Sequence, residues 1–449
     1  MTLSSSPPPH TSLTLLPHRV PYPNHPFYPQ HQLPFLTCQL PPFSKLSTLI
    51  QMNSSIIAIL FFLIISSTQC SSTSINLKLT KHPSTNHYLT RLHLADSSPH
   101  LLAFILDLDT PFVWTHHHNP GPVGRVMARS IDCLTANGHQ NPPTAASTCS
   151  LTTANPITGE SVSGELVTGE VLFDEEAGDV FDRFLYVSGA LTEGRRLPDG
   201  INGVLGFGRK SRVSLISQLS HSISMTRRFS VCFSGGNGDG FVSLGRDTGL
   251  DEIKGSSMAY TPMMVVEDRV KSSTGNNYYV NVKAMEINGR KLVVPPVKAK
   301  ISSVVRYTTL SRVIYGTIMK GFEEAAAKSG MVRAPAVGGF ELCYRKLEET
   351  KAVPVVEFVM QSELVRWRFD EKNVMVDIGS DTMCLGVVEG GEDDEVVVGG
   401  YVLEENLVEF DLESEMVGFS GSLLRRGTSC GKLSEKIALI AGARGIESI

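Results

Sequence analysis

The sequence predicts a mostly-β protein built as two lobes. Three observations carry that prediction. The chain has 449 residues, too many for one compact core and enough for two lobes with additional segments. From residue 75 onward, short runs of Val, Ile, Leu, Phe and Tyr recur between clusters of Gly, Asn, Asp, Ser and Pro, which is the texture of strands and turns. Helical periodicity is confined to two stretches.

Residues 1–51 are rich in Pro, Ser and His and have no hydrophobic period. Such a stretch buries too little apolar surface to fold. It reads as a disordered leader or as an extension upstream of the true start, with translation beginning at Met52. Residues 56–65 are ten apolar residues in a row. That is short of the ~20 needed to cross a bilayer and suits the core of a secretory signal. Small and polar residues follow, so 52–72 reads as a signal peptide, although no Lys or Arg lies between Met52 and Ile56. The organisation expected beyond it is an N-terminal lobe over 73–250, a C-terminal lobe over 275–430 and a tail over 431–449 that reads as a weak helix or a further extension.

Strands are expected at 101–108, 170–173, 231–233, 278–282 and 396–398. Asn288-Gly289 between two apolar runs is a hairpin signal, because a type I′ turn needs positive φ at both central residues. Residues 214–219 read as a short helix. Residues 311–328 read as a longer one, with Val313, Ile314, Ile318 and Phe322 on one face. The boundary between lobes falls near 245–275, a stretch with two turn-rich clusters.

Apolar residues make up 41% of the chain and charged residues 19%, and the formal net charge is −5. This is ordinary globular composition and gives no basic field for nucleic acid. The pairs Arg195-Arg196, Arg227-Arg228 and Arg425-Arg426 read as solvated loop charges. Past residue 72, six cysteines remain: Cys133, Cys149, Cys232, Cys343, Cys384 and Cys430. An even count in a secreted chain implies three disulfides among fifteen pairings. No metal-binding Cys spacing occurs, and His116, His117 and His118 read as a surface loop. No metal or other cofactor is expected. No N-glycosylation sequon follows Asn53.

One motif carries chemistry. Two carboxylates, one from each lobe, can share a proton around a water and hydrolyse a peptide bond, with closeness forcing one to ionise as base and the other to stay protonated as acid. Each such Asp sits in a tight Asp-Thr-Gly turn. Here Leu106-Asp107-Leu108-Asp109-Thr110 follows a β run and precedes Trp114. Asp107 takes the first position, but Leu108 replaces the Thr and Asp109 replaces the Gly.

Three further stretches give a resemblance. Residues 201–209 (Ile-Asn-Gly-Val-Leu-Gly-Phe-Gly-Arg), with 214–219 and 228–233, resemble the N-lobe of plant aspartic-protease-like proteins. Residues 279–289 resemble the opening of their C-lobe. Residues 398–412 and 417–424 resemble the branch that contains xylanase inhibitors, the extracellular dermal glycoprotein and gamma-conglutin globulins. The resemblance covers about 75–430 and implies a bilobal pepsin-like aspartic protease fold. It puts the second catalytic position at Ser302, with Val304 at the Gly position. It also implies bridges Cys343–Cys384 and Cys232–Cys430, leaving Cys133–Cys149 as a local one.

A serine hydroxyl cannot serve as a carboxylate at neutral pH, so Asp107 reads as a remnant and Ser302 as an inactive partner. Val376-Asp377-Ile378-Gly379-Ser380 imitates the motif, but it lies too near the end of the C-lobe to be the catalytic loop. The flap region, 155–164, carries no Tyr. The resemblance implies an extracellular, apoplast or cell-wall protein that binds other proteins, including microbial xylanases or xyloglucan endoglucanases, and is not bound to membrane once the signal is removed. The alternative is an active aspartic endopeptidase that pairs Asp107 with Asp377 or another carboxylate.

Overall fold

The computed structural model describes residues 74–94, 101–116, 124–137, 148–173, 180–189, 197–236, 238–265, 277–346, 352–390 and 396–446. The leader, the apolar run 56–65, the Arg195-Arg196 pair, His117 and His118 lie outside them.

A six-stranded antiparallel sheet forms the floor. Its order is Ser74–Lys81, Gly240–Gly245, Arg228–Cys232, Leu407–Asp411, Met416–Phe419 and Ala259–Met264. Three strands come from residues 74–245 and three from residues 259–419. The middle pair, with Phe229 opposite Phe410, joins the halves. These two rings stack at 4.8 Å between centroids, and both are fully buried.

Above this floor each half builds the same strand arrangement. In the first, Leu102–Asp107 runs parallel to Gly203–Gly206, and Trp114–Thr115 runs antiparallel to Gly203–Gly206 and parallel to Val180–Ser188. In the second, Val297–Ile301 runs parallel to Val396–Val398, and Thr308–Leu310 runs antiparallel to Val396–Val398 and parallel to Val387–Glu389. Leu102–Asp107 is buried at every position, so its sequence is a continuous apolar run, as expected of a strand covered on both faces. Val297–Ile301 alternates instead, with Lys298 and Lys300 half-buried between buried neighbours.

The hairpin forms as expected. Asn288 and Gly289 have φ of 51° and 73°, and Ile287 pairs with Arg290. The two helices expected from periodicity form as Leu215–Ser222 and Arg312–Lys328. On the longer one, Ile314, Ile318 and Phe322 are buried but Val313 is 71% exposed. One residue is a 100° step around the helix, which carries Val313 off the stripe defined by the other three.

The boundary stretch is more ordered than its turn residues suggest. It holds a 3₁₀ turn Thr248–Leu250, a helix Asp251–Ser257 and the floor strand Ala259–Met264. The tail forms a helix, Cys430–Ile446. The two explain each other, because Leu250, Leu433 and Ile437 are buried in one apolar cluster against which Ile253 packs. Tertiary burial overrides weak propensity here. Arg228 is not a loop charge either. It lies in the floor sheet, and its guanidinium meets Asp411 and, at 4.0 Å, Glu409.

Three disulfides join Cys133 to Cys149, Cys232 to Cys430 and Cys343 to Cys384, the pairing that the resemblance implies.

Candidate functional site

The matching strand registers locate two equivalent points. Leu102–Asp107 ends with Asp107 opposite Gly206. Val297–Ile301 ends with Ile301 opposite Val398, so the next residues along are Ser302 and Gly399. Gly206 and Gly399 behave alike. A Cβ on Gly206 would lie 2.3 Å from the carbonyl oxygen of Phe112, and one on Gly399 would lie 2.6 Å from the carbonyl carbon of Tyr307. Neither site admits a side chain, so each loop rests on a glycine.

Asp107 is 2% exposed. One carboxylate oxygen accepts the Asp109 N–H at 2.9 Å, and the other accepts the Thr110 hydroxyl at 2.5 Å. Ser302 is 1% exposed, and its Oγ accepts the N–H groups of Val304 at 3.3 Å and Val305 at 3.2 Å. Both residues are thus held by the second and third residues after them. One is a carboxylate and the other a hydroxyl.

Ser303 ties the two loops together. Its Oγ donates to the Leu106 carbonyl at 2.9 Å and accepts the Leu108 N–H at 3.2 Å. The return contact has no counterpart, because Leu108 carries no hydroxyl. Beside this bridge, Lys300 Nζ lies 2.6 Å from Asp109 Oδ2, with both side chains about one-fifth exposed. The carboxylate that replaces glycine in the first loop is therefore neutralised by a cation from the second lobe. His87, at the start of Tyr88–Leu94, stands near the same loops. Burial lowers its pKa, as do the charges of His82 and Arg306, against the opposing pull of the Val304 backbone and of Asp107.

Next to the site, Glu404 gathers groups from both halves. Its Oε1 takes Lys81 Nζ at 2.8 Å and the Tyr88 hydroxyl at 2.9 Å, and it also meets Arg306. Burial, with Glu404 beside it, raises the Tyr88 pKa far above the ordinary phenol value. Arg306 is raised too: burial opposes its charge, and Glu404 overcomes that.

The flap is the hairpin Ser150–Ala154 with Ser161–Leu172. Trp114 lies beneath it, 3% exposed, and its indole N–H has no hydrogen-bond partner among the described residues. A void of about 10 Å³ beside it is lined by Thr153, Val162 and Ser163, room for no more than one water.

Asp377 is elsewhere. It lies on Met375–Ile378, an outer strand of a separate four-stranded sheet, with a 67% exposed side chain 3.3 Å from Lys346. The structure brings Asp107 and Ser302 to equivalent loops and leaves Asp377 on the surface. The Ser303 bridge, Lys300 and Glu404 were not singled out from sequence. Only Lys300 left a trace, as a charge inside an apolar strand run.

Two family patterns match the chain: "Xylanase inhibitor N-terminal" over residues 88–246 and "Xylanase inhibitor C-terminal" over residues 277–421. The chain belongs to the xylanase-inhibitor family. Among its relatives is the "Probable aspartic proteinase GIP2" of Nicotiana benthamiana, 31% identical and matching 79% of this chain and 90% of the relative. Among the solved structures that match, two that cover 81% of the chain illustrate the likeness. One is edgp, with TM-score 0.71, 26% identity and 98% of that chain covered. The other is conglutin gamma from lupine seeds, with TM-score 0.70, 27% identity and 99% covered. The bilobal, mostly-β pepsin-like fold expected from the sequence is the fold observed.

Proposed function

We propose that this member of the xylanase-inhibitor family is a secreted protein without proteolytic activity that acts by binding other proteins. Its partner class is microbial cell-wall glycoside hydrolases of the xylanase or xyloglucan-endoglucanase kind. The observation that carries the reading is Ser302. Acid protease chemistry needs two carboxylates whose mutual repulsion splits their pKa values, so that one activates water while the other protonates the leaving group. A serine at the second point cannot ionise in that range, and its oxygen is already engaged by two backbone N–H groups. Asp109, the carboxylate two residues after Asp107, is ion-paired with Lys300 at 2.6 Å.

Secretion is supported by the apolar run 56–65 and by the three disulfides, which persist in oxidising compartments. Binding would use surface loops held by the rigid β scaffold.

The test has two arms. Purified protein is assayed for peptide hydrolysis at acid pH, with and without pepstatin, and no turnover is expected. Pepstatin-sensitive turnover abolished by Asp107→Ala would instead establish an active endopeptidase. The protein is also titrated against a panel of microbial xylanases and xyloglucan endoglucanases, with at least one binding partner expected. Failure to bind every panel member would overturn the partner class.

A further inference from the structure

We propose that a cleft on the C-terminal half, built around Arg368, Asp370, Arg425 and Arg426, binds a small ligand through a phosphate, sulfate or carboxylate group. The cleft holds about 350 Å³ and lies between the strand Arg366–Phe369 and the 3₁₀ turn Leu424–Arg426, with Gly421 and Ser422 completing its wall. This reading is independent of the protein-binding function proposed above.

Asp370 is the organising group. It stands at the N-cap of the turn Glu371–Val374, where a carboxylate normally accepts backbone N–H groups. Its side chain makes no such bond. Its two oxygens go instead to two arginines, Oδ1 to Arg368 Nε at 3.3 Å and Oδ2 to Arg425 Nε at 2.7 Å. The Asp370 side chain is only 9% exposed, against 45% and 60% for the two arginines. A buried carboxylate thus orients two half-exposed guanidinium groups by their inner nitrogens. The outer amino groups of both have no acceptor among the described residues, and neither has the Arg426 guanidinium. Among the residues lining the cleft, one carboxylate faces three guanidinium groups, a net charge of +2.

Arginine forks match the oxygens of phosphate, sulfate and carboxylate. A concave wall with excess positive charge raises the local concentration of anions. The volume is at the lower end of the ~300–1,000 Å³ range of ligand sites, which suits a ligand of about sugar size. A sulfate or phosphate ester and a uronate both present the required oxygens.

Isothermal titration of the full-length secreted protein at low ionic strength, with sodium sulfate, inorganic phosphate and oligogalacturonate as separate probes, tests the site. Saturable binding of at least one probe at one site per chain is expected. Preference for the tetrahedral anions or for the uronate identifies the source of the anion, and either supports the site. Arg426→Ala, at an exposed position that leaves the fold intact, should weaken binding about tenfold, the scale of one charge-assisted contact. Asp370→Asn is the sharper variant. It makes the cleft more positive yet frees the two arginines, so binding through an oriented site weakens while simple charge attraction strengthens. Arg425→Lys keeps the charge, removes the fork and should also weaken binding. Absence of saturable binding by every probe, an unaltered affinity in Arg426→Ala, or tighter binding by folded Asp370→Asn would each overturn the proposal.

Discussion

Ser303 joins the loops at Asp107 and Ser302 through one side chain. Its single hydroxyl satisfies one backbone carbonyl and one backbone N–H of the opposite lobe, and it is 4% exposed. Ser303→Ala would leave both groups unsatisfied away from water, a cost of about 1–3 kcal/mol. Ser303→Thr keeps the hydroxyl and should fall close to wild type. Denaturant titration of the two variants measures the difference, and equal midpoints would show that the bridge contributes nothing. His87 gives a pH signature. Its pKa is held below the ordinary value by burial, His82 and Arg306, so the folded state favours the neutral ring. Its contribution to stability is fully present above the unfolded value of about 6.5. It is lost as pH falls from there towards the folded pKa, because the unfolded chain then binds more protons. Wild type should therefore lose more melting temperature than His87→Gln between pH 7.5 and pH 5. Parallel pH profiles of the two proteins would exclude that origin.

At the scale of elements, the C-terminal helix is held from two sides. Cys430 at its first position is bonded to Cys232 in the floor sheet. One turn and two turns further on, Leu433 and Ile437 are buried with Leu250. Removing the bridge by Cys232→Ser with Cys430→Ser should cost about 2–5 kcal/mol. The loss should appear first as faster hydrogen exchange in 430–446. Uniform exchange throughout the chain would indicate that the bridge stabilises the fold without anchoring this helix. The same region shows what the sequence makes legible. Strands announce themselves through β-branched runs, and the Asn288-Gly289 turn through its chemistry, because these are local signals. Helix Asp251–Ser257 contains Gly255 and two serines, and only Asp251 and Glu252 in its first turn favour it locally. Its reason is a neighbour nearly the whole second lobe away along the chain. The site divides in the same way. The family resemblance pointed to Ser302, counted back from Leu310 just before the helix Arg312–Lys328. The Lys300 to Asp109 contact was not legible, since each charge alone looks like an ordinary surface residue.

The molecule as a whole is two lobes that cannot come apart cleanly. The floor sheet sets three strands from residues 74–245 beside three from residues 259–419, so separating the lobes breaks the backbone pairing between Arg228–Cys232 and Leu407–Asp411. Glu404 adds a charged joint above it. Its side chain is 7% exposed and holds Lys81 and Arg306, themselves about one-fifth exposed, along with Tyr88. Glu404→Gln would strand two partly buried cations from opposite halves. Breaking one partner of a buried pair costs about 3–5 kcal/mol, and the residual solvent contact of both cations puts the expected loss at the low end of that range. Because the sheet remains, the variant should melt at a lower temperature but still in one transition. The contrast is Glu415→Gln, whose carboxylate is 60% exposed although its partner Arg209 is buried. It should cost less, because it loses one ion pair rather than two and the Arg209 guanidinium keeps its bond to the Met264 carbonyl at 2.9 Å. Differential scanning calorimetry of the three proteins decides the matter. A second, separate transition in Glu404→Gln would mean that this one carboxylate, rather than the shared sheet, makes the two lobes unfold together.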